Sequence, residues 1–295
     1  MAEAKGNWGR WGPEDERGAA NLVDAATTRA ALGIPGTGRV YPLGQRVQAA
    51  GVPRGKSAPP PLHMFIRDGA DFVAGREYEE GKGSALDWIG LNVHGATTHV
   101  DALGHVFDEG KLYNGYEISG SKSSGLERCG IENLGGLVTR GVLVDLPRRR
   151  EVEALPAGHE ITAADLEDAL GAQGTELRPG DAVLIRTGMT RRFETEPDPF
   201  AGPIAGLGLD GAEFLSARDV ALVGADNNAV EVYPFKPGTS APVHRHLLVA
   251  HGIYLIEFLD LEELAAAGVH EFLFVLAPLR IAGGTGSPVN PLAIG

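Results

Sequence analysis

The sequence predicts an α/β fold with a mixed sheet and flanking helices, and three observations carry that prediction. After residue 138, short apolar runs alternate with helix-patterned segments, which is the rhythm of layered strands and helices. The first ninety residues are instead rich in Gly, Pro and polar residues, with isolated aromatics such as Trp8, Trp11 and Trp88, and little periodicity. At 295 residues and 43% hydrophobic, the chain has apolar matter for a large core.

In chain order, residues 1–40 read as an irregular N-terminal arm of a single 1–295 domain, followed by short strands up to about residue 90. Strands are expected at GVLVDL (141–146), DAVLIRTG (181–188), VALVGAD (220–226), IYLIEFL (253–259) and EFLFVLAPLRI (271–281). Helices are expected from about Thr162, near 211–218, near 242–250 and at 261–267. The segment ITAADLEDALGAQG is the best signalled of these. Thr162 can cap the free amides of its first turn, Asp165 sits at its positive end, and Gly171 or Gly174 can stop it. PRRREVEAL reads as a solvated turn and helix start, and there is neither a linker nor a repeat of fixed period.

Charge and cysteine content narrow the function. The formal charge of −13 comes from 39 acidic against 26 basic residues, and no basic run exceeds Arg148–Arg150. Nucleic-acid binding needs clustered positive charge, so it is not expected. Cys129 is the only cysteine, which excludes an internal disulfide and a thiolate zinc cage. The opening MAEAKGNWGRW lacks the apolar core of a signal peptide, and no apolar run approaches about 18 residues. A cytoplasmic protein with no membrane partner is expected.

The chemistry concentrates in HGATTHVDALGH, residues 94–105. The chain has only 9 His, and three of them fall in those twelve positions beside Asp101. Imidazole and carboxylate suit Zn²⁺, Mn²⁺ or Fe²⁺, and two His with one Asp leave open positions, as catalytic sites do. In a strand His99 and Asp101 share a face. His94, five residues before His99, needs a bend at Gly95–Ala96 to join them, and glycine permits one. A lone His in such a loop is ordinarily just a solvated polar residue; the cluster is what argues for metal.

HGATTHVDALGH resembles the His-x-Gly-Thr-His-x-Asp-x-x-x-His signature of the cyclase-like family of metal-dependent hydrolases, which includes bacterial kynurenine formamidase and isatin hydrolase. NWGRWGPEDERGAANL, RGVLVDL, GDAVLIRTG, VHRHLLVAHGIYLIEFLDLEEL and GSPVNPLAI extend the resemblance over almost the whole chain. The match departs from the signature at one point: His94 to His99 spans five residues rather than four, with Ala96-Thr97 where Gly-Thr is expected. The resemblance implies a swivelling β/β/α fold, with His94, His99 and Asp101 as ligands of a first metal and His105 as acid/base. A fourth-ligand role for His105 stays open beside it. The resemblance also matches His244 and Glu257 to ligands of a second metal bridged by Asp101, so one ion, Zn or Mn, is expected and a second is admitted. Glu257 lies in the apolar run IYLIEFL, where an ionised group needs a partner whatever the family. His246 and His251 are local competitors of His244 and are commoner as surface residues.

Other candidates are weaker. Asp226 and Glu231 follow an apolar strand, where α/β folds place functional groups, although Asp-Asn-Asn is also ordinary turn chemistry. Arg186 reads as a structural ion pair more readily than a substrate contact. Trp8 and Trp11, beside Arg10 and Arg17, suit either an aromatic lid or packing against a neighbouring subunit. Gly283–Gly286 lacks the Lys and the helix of a phosphate loop. The function that follows is metal-dependent hydrolysis of an amide, lactam or imide C–N bond in a small aromatic or cyclic substrate, by a homodimer or homotetramer. A cyclase or dehydratase, or a non-catalytic metal or small-ligand binding protein, are the alternatives. A binding protein would have no use for an acid/base histidine beside a ligand-poor ion.

Overall fold

The apolar runs after residue 138 are buried on both faces, as parallel strands covered by helices must be. The computed structural model describes residues 6–50, 52–55, 58–76, 79–196 and 202–295; the first five residues of the expected arm lie outside this range. In chain order its strands are β1 (Val40–Pro42), β2 (Leu62–Arg67), β3 (Leu86–Gly90), β4 (His99–Asp101), β5 (Leu137–Asp145), β6 (Glu160–Ile161), β7 (Ala182–Arg186), β8 (Gly206–Leu207), β9 (Leu222–Ala225), β10 (Tyr254–Glu257), β11 (Glu271–Leu276), β12 (Gly286–Pro288) and β13 (Leu292–Ile294). Among the described residues, nine of them form one mixed sheet in the order β1-β13-β11-β5-β7-β9-β10-β4-β12.

The centre of that sheet, β5-β7-β9-β10, is parallel. Each step to the next parallel strand crosses through a helix, and the helices at 163–173, 209–216 and 242–251 pack side by side. Both flanks are antiparallel, with β4 and β12 on one side and β11, β13 and β1 on the other. Val183, Leu184, Leu222, Val223, Leu255 and Ile256 are completely buried in the centre of the core.

Local chemistry sets most boundaries where the sequence places them. Thr162 Oγ1 accepts from Asp165 N at 3.2 Å and Asp165 Oδ2 accepts from Thr162 N at 2.9 Å, a reciprocal cap. The helix ends at Gln173 with Gly174 left-handed at φ +66°, not at Gly171. The strand expected at 271–281 stops at Leu276, which faces Leu137, the first residue of β5. Pro278 beyond it has no amide for a ladder, and Leu279 lies exposed. The helix expected near 242–250 begins with one turn at Pro242–His244 and continues as a π-helix over Arg245–His251.

Two features outside the sheet matter later. The arm folds over the 245–251 turn: Asn7 N donates to Ala250 O at 2.9 Å, Trp8 Nε1 donates to Val249 O at 2.7 Å, and Arg10 pairs with Asp219. Trp8 thus anchors the arm to this outer helix, and neither Trp8 nor Trp11 lines the space beside the histidine cluster within this chain, so the structure does not place them as a lid there. The second feature is the ribbon of β2 and β3, which among the described residues pair only with each other and leave Met64, Phe65, Ile66, Trp88 and Ile89 about half exposed.

Candidate metal centre

The site begins at a seam in the sheet. Strand β4 runs antiparallel between β10 and β12, and its register sets His99 opposite Glu257 and Asp101 opposite Gly286. His99 and Asp101, two residues apart, project to one face, and the cross-strand neighbour Glu257 projects beside them. Glu257 is also the last residue of β10, at the carboxyl end of the parallel strands.

His94 joins through the bend that the sequence requires. Gly95 has φ +83°, a left-handed conformation that breaks the short 93–96 helical turn and aims the His94 ring back at β4. Its Nδ1 lies 3.1 Å from Asp101 Oδ1. His244 arrives from the helical layer, with Nε2 3.3 Å from Glu257 Oε1 and 3.8 Å from Asp101 Oδ2. His99 Nε2 lies 3.6 Å from Asp101 Oδ1 and 3.4 Å from Glu257 Oε2.

Two donor sets result, His94–His99–Asp101 and Asp101–His244–Glu257, each with its ligand atoms within 4.8 Å of one another. Asp101 belongs to both. Each imidazole is tethered through the nitrogen that faces away from the cluster. His99 Nδ1 donates to Thr97 O at 2.9 Å, His94 Nε2 meets Thr285 Oγ1 at 2.9 Å, and His244 Nδ1 meets Glu231 Oε1 at 2.5 Å. The inward nitrogens of His94 and His99 and both Asp101 oxygens are buried without a hydrogen bond, the 3.1 Å approach of His94 to Asp101 being misaligned for one. Converging lone pairs and buried carboxylates repel each other and cost several kcal/mol unless a cation lies between them. The donors therefore fit a divalent metal.

The electrostatics agree. Burial alone would raise Asp101, but His105, His94 and His99 hold its carboxyl well below the usual carboxylate range. Burial would lower His244, yet its hydrogen bonds with Glu231 and Glu257 push it up to about 10. Burial also pushes Glu257 up, reinforced by Asp101 and opposed by His244 and His99.

His105 sits on the turn after β4 and belongs to neither donor set. Its ring stacks on His94 with centroids 3.8 Å apart and planes 9° apart. Burial, more than its positive neighbours, lowers it to about 4, against the pull of Asp101. A cleft of about 440 Å³ opens here, lined by His94, His105, His244 and Glu257, with Asn92 and Asn228 as further polar side chains. His99 and Asp101 are fully buried and do not line it.

The remaining candidates separate cleanly. His246 Nε2 pairs with Ser216 Oγ at 2.8 Å and its ring packs on His251, so neither is in the cluster. Arg186 forms ion pairs with Asp145 and Glu262. Asp226 accepts from Thr187 N and Gly188 N, both at 2.8 Å, and so fixes a turn. Glu231, which the sequence left balanced between a functional role and turn chemistry, reaches the cluster through His244. Thr285 and Asn228 went unnoticed in the sequence; Thr285 sits in AGGTGSP, which reads as a loop with no chemistry.

Comparison with known proteins agrees with this picture. A family model named Cyclase, described as "Putative cyclase", matches residues 40–232. A crystal structure described as a novel cyclase is 36% identical, covers 99% of this chain and 98% of its own, and superposes with a TM-score of 0.91. Isatin hydrolase A from Ralstonia solanacearum is 20% identical over 86% of this chain and 91% of its own, at a TM-score of 0.64. An isatin hydrolase bound to the product analogue thioisatinate is also 20% identical, over 92% and 98%, at 0.62. Comparison with curated proteins gives no match. The chain belongs to the Cyclase family. Its swivelled mixed sheet with flanking helices is the fold of that family.

Proposed function

We propose that this protein is a metal-dependent hydrolase that cleaves the C–N bond of a small amide, lactam or imide. The observation that carries the proposal is the pair of donor sets sharing Asp101, with their inward atoms unpaired, at the edge of an open cleft. His94, His99 and Asp101 would hold one divalent ion, Zn or Mn, and His244 and Glu257 would complete a second position with Asp101. An ion so held acidifies a water and polarises a carbonyl. The chain supplies the rest. His105, outside both donor sets and on the cleft, takes a proton from the attacking water and returns it to the departing nitrogen. The water oxygen joins the carbonyl carbon, the C–N bond breaks, and a carboxylic acid results together with an amine, or with an amide where the substrate is an imide. Fold kinship with isatin hydrolases supports a cyclic, aromatic substrate.

A cyclisation or dehydration is the second reading, favoured by the family's name and by the relative described as a novel cyclase. A panel of amides, lactams and imides followed by mass spectrometry separates the two, because each hydrolysis adds the mass of one water and a dehydration removes it. Addition of water dependent on added Zn²⁺ or Mn²⁺ is the expected result; none across the panel refutes the hydrolase.

A homodimer or homotetramer belongs to the same proposal. The β2–β3 ribbon springs from segments that border the cleft, Gly55 and Ala58 before it and Asn92 after it. Its exposed apolar side chains, with Phe72 and Val73 between the strands, form a contiguous apolar face that a second copy would cover.

A further inference from the structure

We propose that Glu231 is a positioning residue of the metal centre: its carboxylate determines which nitrogen of His244 faces the cation. The inference rests on the metal reading above. Glu231 is 1% exposed and both its oxygens are committed to the start of the 242–251 segment. Oε1 lies 2.5 Å from His244 Nδ1, and Oε2 accepts from Val243 N at 3.0 Å. An ionised carboxylate can only accept, so Nδ1 carries the proton. Nε2, the atom that faces Asp101 and Glu257, is then the nitrogen that gives up its proton and offers a lone pair when a cation binds. In the other tautomer an N–H would point to where the ion belongs. His99 and His94 are tethered by a neutral carbonyl and a neutral hydroxyl, so Glu231 is the one charged tether of the three. A carboxylate behind a ligating histidine fixes its orientation and makes it a stronger donor.

The backbone around Glu231 is built to hold it there. Val230 has φ +57°, a conformation that a β-branched residue adopts only when its surroundings impose it. Those surroundings are visible. Val230 N donates to Asn227 Oδ1 at 2.7 Å, and Asn227 Nδ2 donates to Ala205 O at 2.8 Å. The Glu231 backbone runs so close to Gly206 that a Cβ there would meet the Glu231 carbonyl carbon at 2.4 Å. Asn227 O also accepts from Phe258 N at 2.7 Å, and Phe258, at φ +57°, follows Glu257. One asparagine thus ties the tether of His244 to the strand end that carries Glu257.

The test is calorimetric titration of Zn²⁺ into the full-length, chelator-stripped protein. Glu231→Ala should weaken the His244 subsite about 10–100-fold and leave the His94–His99 subsite within about twofold. Glu231→Gln keeps an acceptor oxygen without the charge and should fall between Ala and wild type. ¹⁵N-detected NMR of the His244 ring in the Zn²⁺-loaded protein should show the proton on Nδ1 in wild type and in Gln, and not in Ala. Melting curves of the stripped proteins report folding, and Gln carries the test if Ala does not fold. Wild-type affinity at both subsites in Ala or Gln, or equal weakening of both, overturns the positioning role. No Zn²⁺ uptake by wild type overturns the metal reading itself, a distinguishable failure.

Discussion

Replacing His105 with Ala separates proton transfer from metal retention, and the structure sets the size of each effect. The ring lies outside both donor sets, so Asp101 and the five groups around it, counting Glu231 behind His244, keep their positions when it is removed. Metal content should therefore stay at the wild-type level. With its acidity set near 4, only about one His105 ring in a thousand is protonated at pH 7, so the free-base form is ready to accept a proton. Loss of general acid/base transfer costs about 10²–10⁴-fold in kcat, which is about 3–5 kcal/mol of barrier. The lost stack on His94 removes about 0.5–1.5 kcal/mol of stability, offset in part because a buried imidazole is no longer desolvated. Asp101→Ala is the contrasting variant. It deletes the carboxylate common to both sets and should abolish metal retention and turnover together. The assay pairs elemental analysis after gel filtration with turnover of the best substrate from the amide, lactam and imide panel. If His105→Ala loses its ion as completely as Asp101→Ala, or turns over at the wild-type rate, the assigned role is wrong.

Chelation should lower the melting temperature by about 5–10 °C relative to protein at a free ion concentration near 1,000 Kd, where binding contributes about 4 kcal/mol; scanning calorimetry with and without Zn²⁺ checks it. Asp181→Ala should cost about 3–5 kcal/mol in urea unfolding, because the buried Arg140 guanidinium loses its bidentate partner and retains only Glu271 and the Glu176 carbonyl; a loss under 1 kcal/mol would refute this. Acidification should loosen the N-terminal arm. Burial lowers His246 and lowers His251 to about 4, so the unfolded chain binds protons that the folded chain refuses, and stability falls as pH drops from about 6.5 toward 4. Trp8 fluorescence should follow that loss, and His251→Gln should reduce it. Light scattering should give the mass of two or four chains, and Phe65→Asp with Trp88→Asp should shift it toward one; a wild-type monomer refutes the assembly.

Residues whose partners are near in sequence were the legible ones. Alternation placed His99 and Asp101 on one face, glycine at 95 foretold the bend that returns His94, and an acid inside IYLIEFL marked Glu257 as a group that needs company. The parallel centre followed from the apolar runs, and the cap at Thr162 from its spacing to Asp165. What escaped depends on tertiary approach. Nothing near Thr285 shows that it will meet a ring 191 positions earlier, and Glu231, a candidate for following an apolar strand, shows no link to His244 until the two are folded together. A tryptophan in the arm suits any apolar surface, so only the fold could show that Trp8 serves the 245–251 segment. Short strands were expected before residue 90, but not their bounds, because neither β2 nor β3 has a core to face and so neither shows a buried pattern.

The three-residue strand β4 has a consequence for how the molecule comes into being. It finds its neighbours only in β10 and β12, strands that enter the chain more than 150 residues after it. Pairings over such separations form slowly, because a long loop must close before any contact rewards it. On a ribosome the metal-binding segment would therefore emerge early and wait, its histidines unassembled, until Glu257 and then Gly286–Pro288 had been synthesised. Uptake of an ion thus marks the completion of folding: in a refolding experiment, metal capture should track the slowest phase rather than precede it.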